Sequence, residues 1–340
     1  MIKFAVIGTN WITERFIEGT LNPPQGNKQA MQLNGVYSRE LARAKAFADK
    51  FSDTVGNGHL TIEIFDDLQA LAVSTDIDAV YIASPNSLHY QQSIHMLKNG
   101  KHVICEKPLS STYQEALDLY KVAKENNVIF FEAYMTAHLP NFDVIQNALP
   151  TLGQIRKAHI HYCQYSSRYP AYLDGKRPNT FEPVFSNGSI MDIGYYCVAL
   201  TTALFGKPLA IKAQAILLDS GVDGCGSILL DYGHFSVTID HSKISASNQV
   251  SEIQGEAGSL LIKHVGQCLQ VIHQDHAAQN ELDLTTAQSE NTMSYESIAF
   301  VKQIKTGEIN SVYEQRSLQT AQVINEVRQQ TGVVFPADKQ

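Results

Sequence analysis

Three stretches of the chain set reactive side chains beside residues that bend or cap the backbone. Ser84-Pro85-Asn86-Ser87-Leu88-His89 follows one apolar run, and Glu106-Lys107-Pro108 follows the next. The third, Asp192-Ile193-Gly194-Tyr195-Tyr196, carries a carboxylate and a phenol four residues apart, on one face of a helix. Amines and phenols can hold or pass a proton at an oxygen. Hydride addition to a carbonyl leaves an alkoxide to be protonated, and the reverse oxidation needs a base for the hydroxyl proton. A free lysine titrates at about 10.4 and a free phenol at about 10, so both must be tuned by burial or nearby charge. On this chemistry Tyr196 is the leading proton donor or acceptor, and Lys107 is its electrostatic partner and carbonyl-binding group. These two roles can be exchanged. Asp192 then orients Lys107 or a substrate hydroxyl. The bland readings are a surface lysine beside a turn for Lys107 and a core aromatic for Tyr196, with Tyr195 the neighbour most easily confused with it.

A hydride needs a carrier, and Gly8-Thr9-Asn10-Trp11-Ile12-Thr13 stands where a strand-to-helix turn would offer amides to a pyrophosphate. The stretch departs from G-x-G-x-x-G/A. Asn10 replaces the second glycine and is expected to crowd the phosphate, and Thr13 replaces the small third residue. After the second apolar run, where an NAD site supplies a carboxylate to the ribose, the chain has Ser38 and Arg39. A hydroxyl and a guanidinium suit a 2'-phosphate, so NADP(H) is favoured over NAD(H). Ser84, Pro85, Asn86, His89, Glu106 and Lys107 complete the expected cofactor cradle, at strand ends facing a ligand crevice. Tyr134, Arg168 and Tyr169 are expected to rim the pocket, where aromatic faces and a guanidinium suit a polyhydroxylated, carbohydrate-like substrate. His159 and His161 share one side of a strand but lack a third ligand, so no metal site is expected.

Such side chains need a scaffold, and residues 1–130 alternate short apolar runs with amphipathic segments, the pattern of β-α-β units around a doubly wound parallel sheet. The runs are 3–7, 33–37, 61–65, 79–83, 102–105 and 128–132. Thr112 and Glu115 form a capping box ahead of a helix. From 131 to 340 the pattern becomes α+β. A Tyr-rich loop (165–183) precedes a buried helix (189–206), and long β runs follow to about 284, with a hairpin signal at Asp231-Tyr232-Gly233. Two amphipathic helices (293–305 and 314–330) close the chain, the second stopped by Gly332.

Composition sets outer limits. At 340 residues the chain exceeds one core, with 44% hydrophobic and 18% charged residues. A net charge of -8 without a basic cluster disfavours nucleic acid. Five scattered cysteines without a C-x-x-C pair fit a reducing compartment. The opening MIKFAVIG is too short for a signal sequence, and Asp192 makes the 189–206 run too polar for a membrane span, so a cytoplasmic protein is expected.

The runs IASPNSLHY, VICEKPLS and GSIMDIGYYCVAL, with SYESIAFVKQIKTGE and GVVFP near the end, resemble the glucose-fructose oxidoreductase, inositol dehydrogenase and rhizopine-catabolism family (Gfo/Idh/MocA) over essentially the whole chain. Asp192 and Tyr196 match the branch that includes dimeric dihydrodiol dehydrogenase and NADP-linked xylose dehydrogenase. The resemblance implies an N-terminal Rossmann domain and a C-terminal domain built on an open-faced, mostly antiparallel sheet. It also implies a homodimer or homotetramer through that sheet, a cis bond before Pro108, and Lys107 beside the nicotinamide. The activity implied is an NAD(P)-dependent oxidoreductase acting on a sugar-like, polyol or diol substrate. Ala137 and Leu139 stand where relatives often carry arginine and histidine, which implies a different substrate pocket. A non-catalytic dinucleotide sensor of the same fold is the main rival, and retention of Lys107, Asp192 and Tyr196 argues against it. A hydrolase or lyase using its cofactor transiently is the other.

Overall fold

Runs of β-branched and aromatic residues without polar alternation must be covered on both faces, which suits the inner strands of a parallel sheet. In the structure, a computed structural model that describes residues 1–51 and 62–339, six such runs pair in parallel. They are β1 (Ile2–Ile7), β2 (Met31–Tyr37), β3 (Glu63–Phe65), β4 (Ala79–Ile82), β5 (His102–Glu106) and β6 (Phe130–Ala133). The order β3-β2-β1-β4-β5-β6 is the doubly wound arrangement with its reversal between β1 and β4. Thr61, expected to open the third strand, lies outside the described residues. The connecting helices are α1 (Trp11–Leu21), α2 (Leu41–Ala48), α3 (Leu68–Val73), α4 (Asn86–Lys98) and α5 (Tyr113–Glu125). α5 begins directly after Thr112, where the capping pattern put it.

The second sheet has the order β14-β13-β12-β11-β7-β10-β9-β8. Its strands are β7 (Ile155–Cys163), β8 (Ala210–Leu217), β9 (Asp223–Asp231), β10 (Ser236–Ser242), β11 (Ser251–Gly255), β12 (Gly258–Lys263), β13 (Gln270–Asp275) and β14 (Asn280–Asp283). Only the β7–β10 pair is parallel, so the sheet is mostly antiparallel. Period-two alternation sorts its faces. Ala158, Ile160, Ile228, Leu230, Val237 and Ile239 are buried, whereas Lys157, Ser227 and Leu229 on the opposite face are exposed. The remaining α-helices are α6 (Pro140–Ala148), α7 (Tyr169–Leu173), α8 (Tyr195–Phe205), α9 (Met293–Thr306) and α10 (Ser311–Thr331). α8 lies on the buried face, against β7 and β10.

Two details depart from the sequence reading. The buried helix opens with a π segment, Ile190–Gly194, before its α part, α8. The stretch Pro183–Phe205 is also long and apolar enough to cross a membrane by composition, despite Asp192, but 72% of an 18-residue window within it is buried inside the protein.

The chain divides into two compact units. The first is Met1–Ser110, Gln114–Tyr134 and Ser289–Glu314; the second is Ser111–Tyr113, Met135–Gln288 and Gln315–Gln340. The segment carrying α9 thus groups with the parallel sheet, whereas a single break at 130 assigns it to the second domain. The reason is local: Asn291 Nδ2 donates to the Arg15 carbonyl at 2.7 Å and Arg15 to the Glu290 carbonyl at 3.2 Å.

Candidate active site

In the first unit the site is built at the order reversal between β1 and β4. Gly8 ends β1 with φ +114°, and a Cβ there would stand 2.7 Å from the Ala83 carbonyl oxygen, so only glycine fits. Asn10 has extended backbone (φ -102°) and caps α1. Its Oδ1 accepts from the amides of Ile12 and Thr13 at 3.0 and 3.1 Å, and from the Thr13 hydroxyl at 3.2 Å. Its Nδ2 donates to the Ala83 carbonyl at 2.7 Å. The side chain is thereby folded onto its own helix and stitched to the end of β4, instead of projecting across the turn as a replaced glycine suggested. Trp11 follows, 68% exposed. After β2, the Ser38 amide donates to the Phe65 carbonyl and its hydroxyl accepts the Glu40 amide, which fixes the turn. Arg39 is exposed.

The ends of β4 and β5 are tied together beneath Lys107. Ser84 donates through its hydroxyl to Gln92 Oε1 at 2.7 Å, and Pro85-Asn86 opens α4. His89 is buried, with Nε2 2.8 Å from the Ser84 carbonyl and Nδ1 2.9 Å from the Pro108 carbonyl. Burial lowers its pKa, and the Lys107 charge acts in the same direction. Its ring therefore works as a strut between the two loops. The Lys107–Pro108 bond is cis. Glu106 accepts the Tyr81 hydroxyl at 2.7 Å and the Lys107 amide at 3.3 Å, while Glu132 accepts the Leu109 amide at 3.1 Å. Burial pushes the Glu106 carboxyl up, the Tyr81 bond and the Lys107 ammonium oppose it, and Glu132 adds to it. Tyr81 is itself fixed by stacking on Phe16, centroids 3.7 Å apart. Tyr134, expected at the pocket rim, is fully buried at the end of β6.

In the second unit Asp192 lies in the π segment and is paired with Lys243, whose Nζ also donates to the Thr180 hydroxyl. Lys243 is buried and sits 5.7 Å over the Phe181 ring. Around Phe181 gather Tyr169 and Tyr172, at 5.6 and 5.4 Å, with Tyr165 edge-on to Tyr169. The fold thus brings two expected residues, Asp192 and Tyr169, to one lysine-centred cluster. Tyr196, the second residue of α8, lies edge-on to Tyr162 at 5.9 Å, and Tyr162 meets His264 at 4.9 Å. A Cβ on Gly266 would approach the Tyr196 ring to 3.3 Å. Arg168 caps α7 through its carbonyl, which accepts the Tyr172 amide at 3.2 Å, while its own amide donates to the Ser166 hydroxyl at 3.2 Å, and the residue is exposed.

Lys243, Tyr162 and His264 were not foreseen. The first two had a signal: Lys243 is in phase with Val237, Ile239 and His241, and Tyr162 with Ala158 and Ile160, so alternation points both to the helix side. His241 belongs to the same row. It is wedged between Gly194 and Gly226, where added Cβ atoms would stand 2.9 and 2.8 Å from its ring. Its Nδ1 lies 2.8 Å from Ser189 Oγ and 3.7 Å from Asp223 Oδ2, and Asp223 accepts the Ile190 amide at 2.7 Å. Burial pushes the Asp223 carboxyl up to about 6 and lowers His241 to about 4. On the opposite face, His159 bonds Asp240 at 2.8 Å and stacks with His161. Among the described residues, no group of three or more His, Cys, Asp or Glu side chains is placed to share a metal ion.

Known proteins share this architecture and sequence. Residues 2–134 match the family model described as an oxidoreductase family, NAD-binding Rossmann fold (GFO_IDH_MocA), and residues 150–261 match the GFO/IDH/MocA C-terminal domain. The uncharacterized oxidoreductase YgjR of Escherichia coli (strain K12) is 49% identical, with 99% of each chain covered. The scyllo-inositol 2-dehydrogenase (NADP(+)) IolU of Bacillus subtilis (strain 168) is 42% identical, with 100% of each covered. Among solved structures, the 3-ketoreductase KijD10 of Actinomadura kijaniata, in complex with NADP and TDP-benzene, superposes with a TM-score of 0.82. It is 22% identical, with 97% of this chain and 98% of that one covered, a likeness of fold.

Proposed function

The chain belongs to the GFO/IDH/MocA oxidoreductase family, and on that premise we propose that it transfers a hydride between NADP(H) and a ring carbon of a cyclic polyol of the inositol class. The substrate class rests on the full-length relative named as an NADP-linked scyllo-inositol dehydrogenase. The observation that carries the reading is the Lys107–Pro108 turn at the end of β5, braced by His89 and Glu132 beside the β1–β4 reversal.

The cradle fits a dinucleotide. Gly8 lets the turn pass close to β4, and Asn10 takes the amides of Ile12 and Thr13, which leaves the Trp11 amide and the α1 dipole for a phosphate oxygen. Ser38 and Arg39 would receive the 2'-phosphate. When bound there, the nicotinamide supplies or accepts the hydride. The Tyr196 phenol holds the proton exchanged with the reacting oxygen, and the Lys107 ammonium stabilises negative charge on that oxygen. The Asp192–Lys243 pair orients a neighbouring substrate hydroxyl, with Tyr169 and Arg168 at the rim. The protein works as a homodimer or homotetramer in the cytoplasm, where its five free thiols stay reduced.

The test is a panel of inositols, aldoses and diols followed at 340 nm with NADP+ and with NAD+. Scyllo-inositol with NADP+ is expected to turn over, and Lys107→Ala and Tyr196→Phe each to lower kcat by about 10²-fold, the scale of a lost acid–base group. A loss below about threefold in both variants would remove them from the chemistry.

A further inference from the structure

The first unit holds a cavity of about 370 Å³ at the end of its sheet opposite Gly8, by the start of β2, where α1 ends and α9 passes. Met31, Ile298 and Val301 give it an apolar wall, and Lys28, Lys302 and Lys305 also line it, with no acidic residue in the lining. None of these lysines has an ion-pair partner among the described residues. Lys302 and Lys305 stand three apart on α9, where like charges repel. The helix dipole accounts for a lysine in the last turn of α9; it does not account for Lys28 or for Thr20.

Thr20 is the independent sign. It lines the cavity from α1, is 4% exposed, and its hydroxyl has no hydrogen-bond partner. Helical threonines usually return that bond to the carbonyl four residues back. Thr201, Thr202, Thr320 and Thr331 all do so in this protein, at 2.8 to 3.1 Å. A buried hydroxyl left without a bond is costly, and this one belongs to a residue in the cavity wall, within reach of a ligand that shifts the Thr20 rotamer.

We propose that this cavity binds a small amphipathic anion, an apolar ring-sized body carrying a carboxylate. The ring packs on Met31 and Val301, the carboxylate meets Lys302 and Lys305, and the Thr20 hydroxyl donates to a ligand oxygen. The site is separate from the crevice at Gly8 and Lys107 and its occupancy does not depend on which alcohol the protein oxidises.

The probe is 2-naphthoate, titrated by calorimetry into the full-length protein saturated with NADP+, with neutral 2-naphthamide alongside. Saturable binding of the naphthoate is expected, at least about tenfold tighter than the amide. Lys302→Glu with Lys305→Glu should weaken it by about tenfold or more, and the near-isosteric Thr20→Val by about threefold, with the unfolding midpoint of each variant measured to confirm folding. No heat at about 10 mM naphthoate, or binding indifferent to both folded variants, overturns the proposal. Failure of the polyol assay leaves this readout untouched.

Discussion

At the scale of single residues, the cofactor choice proposed above rests on the pair after β2. Ser38 is fixed by two backbone hydrogen bonds, while Arg39 is exposed and has no ion pair among the described residues. A carboxylate in this place would repel a 2'-phosphate, and a guanidinium attracts it. Arg39→Ala should therefore raise KM for NADP+ by about 10- to 100-fold, the worth of one charge-assisted hydrogen bond, with kcat and the NAD+ parameters nearly unchanged. Equal losses with both cofactors would assign Arg39 to folding. The placement of this pair just past β2 was legible because a strand's end and the turn after it are local features. The role of Asn10 was missed: read as a glycine replacement that crowds the phosphate, it instead caps α1, and its bond to Ala83 spans 73 positions and has no local signature. Lys243, one residue past β10, shows the converse, since its phase with that strand aimed it at the helix side, and its partners Asp192 and Thr180 come from distant segments.

At the scale of elements, the π segment, β9 and β10 meet at two buried groups of opposite tendency. The folded protein holds Asp223 at about 6 against an ordinary 3.8, so its contribution to stability is whole below 3.8 and is lost as pH rises through 6. It holds His241 at about 4 against 6.5, so that contribution is whole above 6.5 and is lost as pH falls through 4. Each displacement is worth about 3 kcal/mol, and between pH 4 and 6 the two slopes nearly cancel. Urea unfolding across this range should show it. Relative to wild type, His241→Asn exposes the Asp223 slope and loses stability as pH rises, whereas Asp223→Asn loses stability as pH falls. Two variants that both track the wild-type profile would contradict this account. Helix ends at Thr112 and Gly332 were readable from their capping residues. The π segment was not, because it depends on the close approach of Gly194 to His241, 47 positions later, and no sequence period records such a contact.

At the scale of the molecule, the grouping of Ser289–Glu314 with the parallel sheet was hidden for a similar reason: the bond from Asn291 to Arg15 links positions 276 apart. The mostly antiparallel second sheet was legible, because short turns such as Asp231-Tyr232-Gly233 between long β runs favour hairpins. The outward face of that sheet carries Ile216, Leu229 and Val250, each between 41% and 56% exposed, around the Asp240–His159–Ser227 hydrogen bonds. Eight strands about 4.8 Å apart and about 18 Å long present about 700 Å², so two such faces would bury about 1,400 Å², the size of a stable protein–protein interface. Were this face to pair with its own copy, the pair would close about a two-fold axis. Light scattering at micromolar concentration should therefore give at least twice the mass of one chain. Ile216→Asp combined with Leu229→Asp, which sets buried like charges across the two-fold, should reduce that mass to one chain while NADP+ still binds. A wild-type protein that runs as a single chain would show that these apolar residues serve something other than self-association.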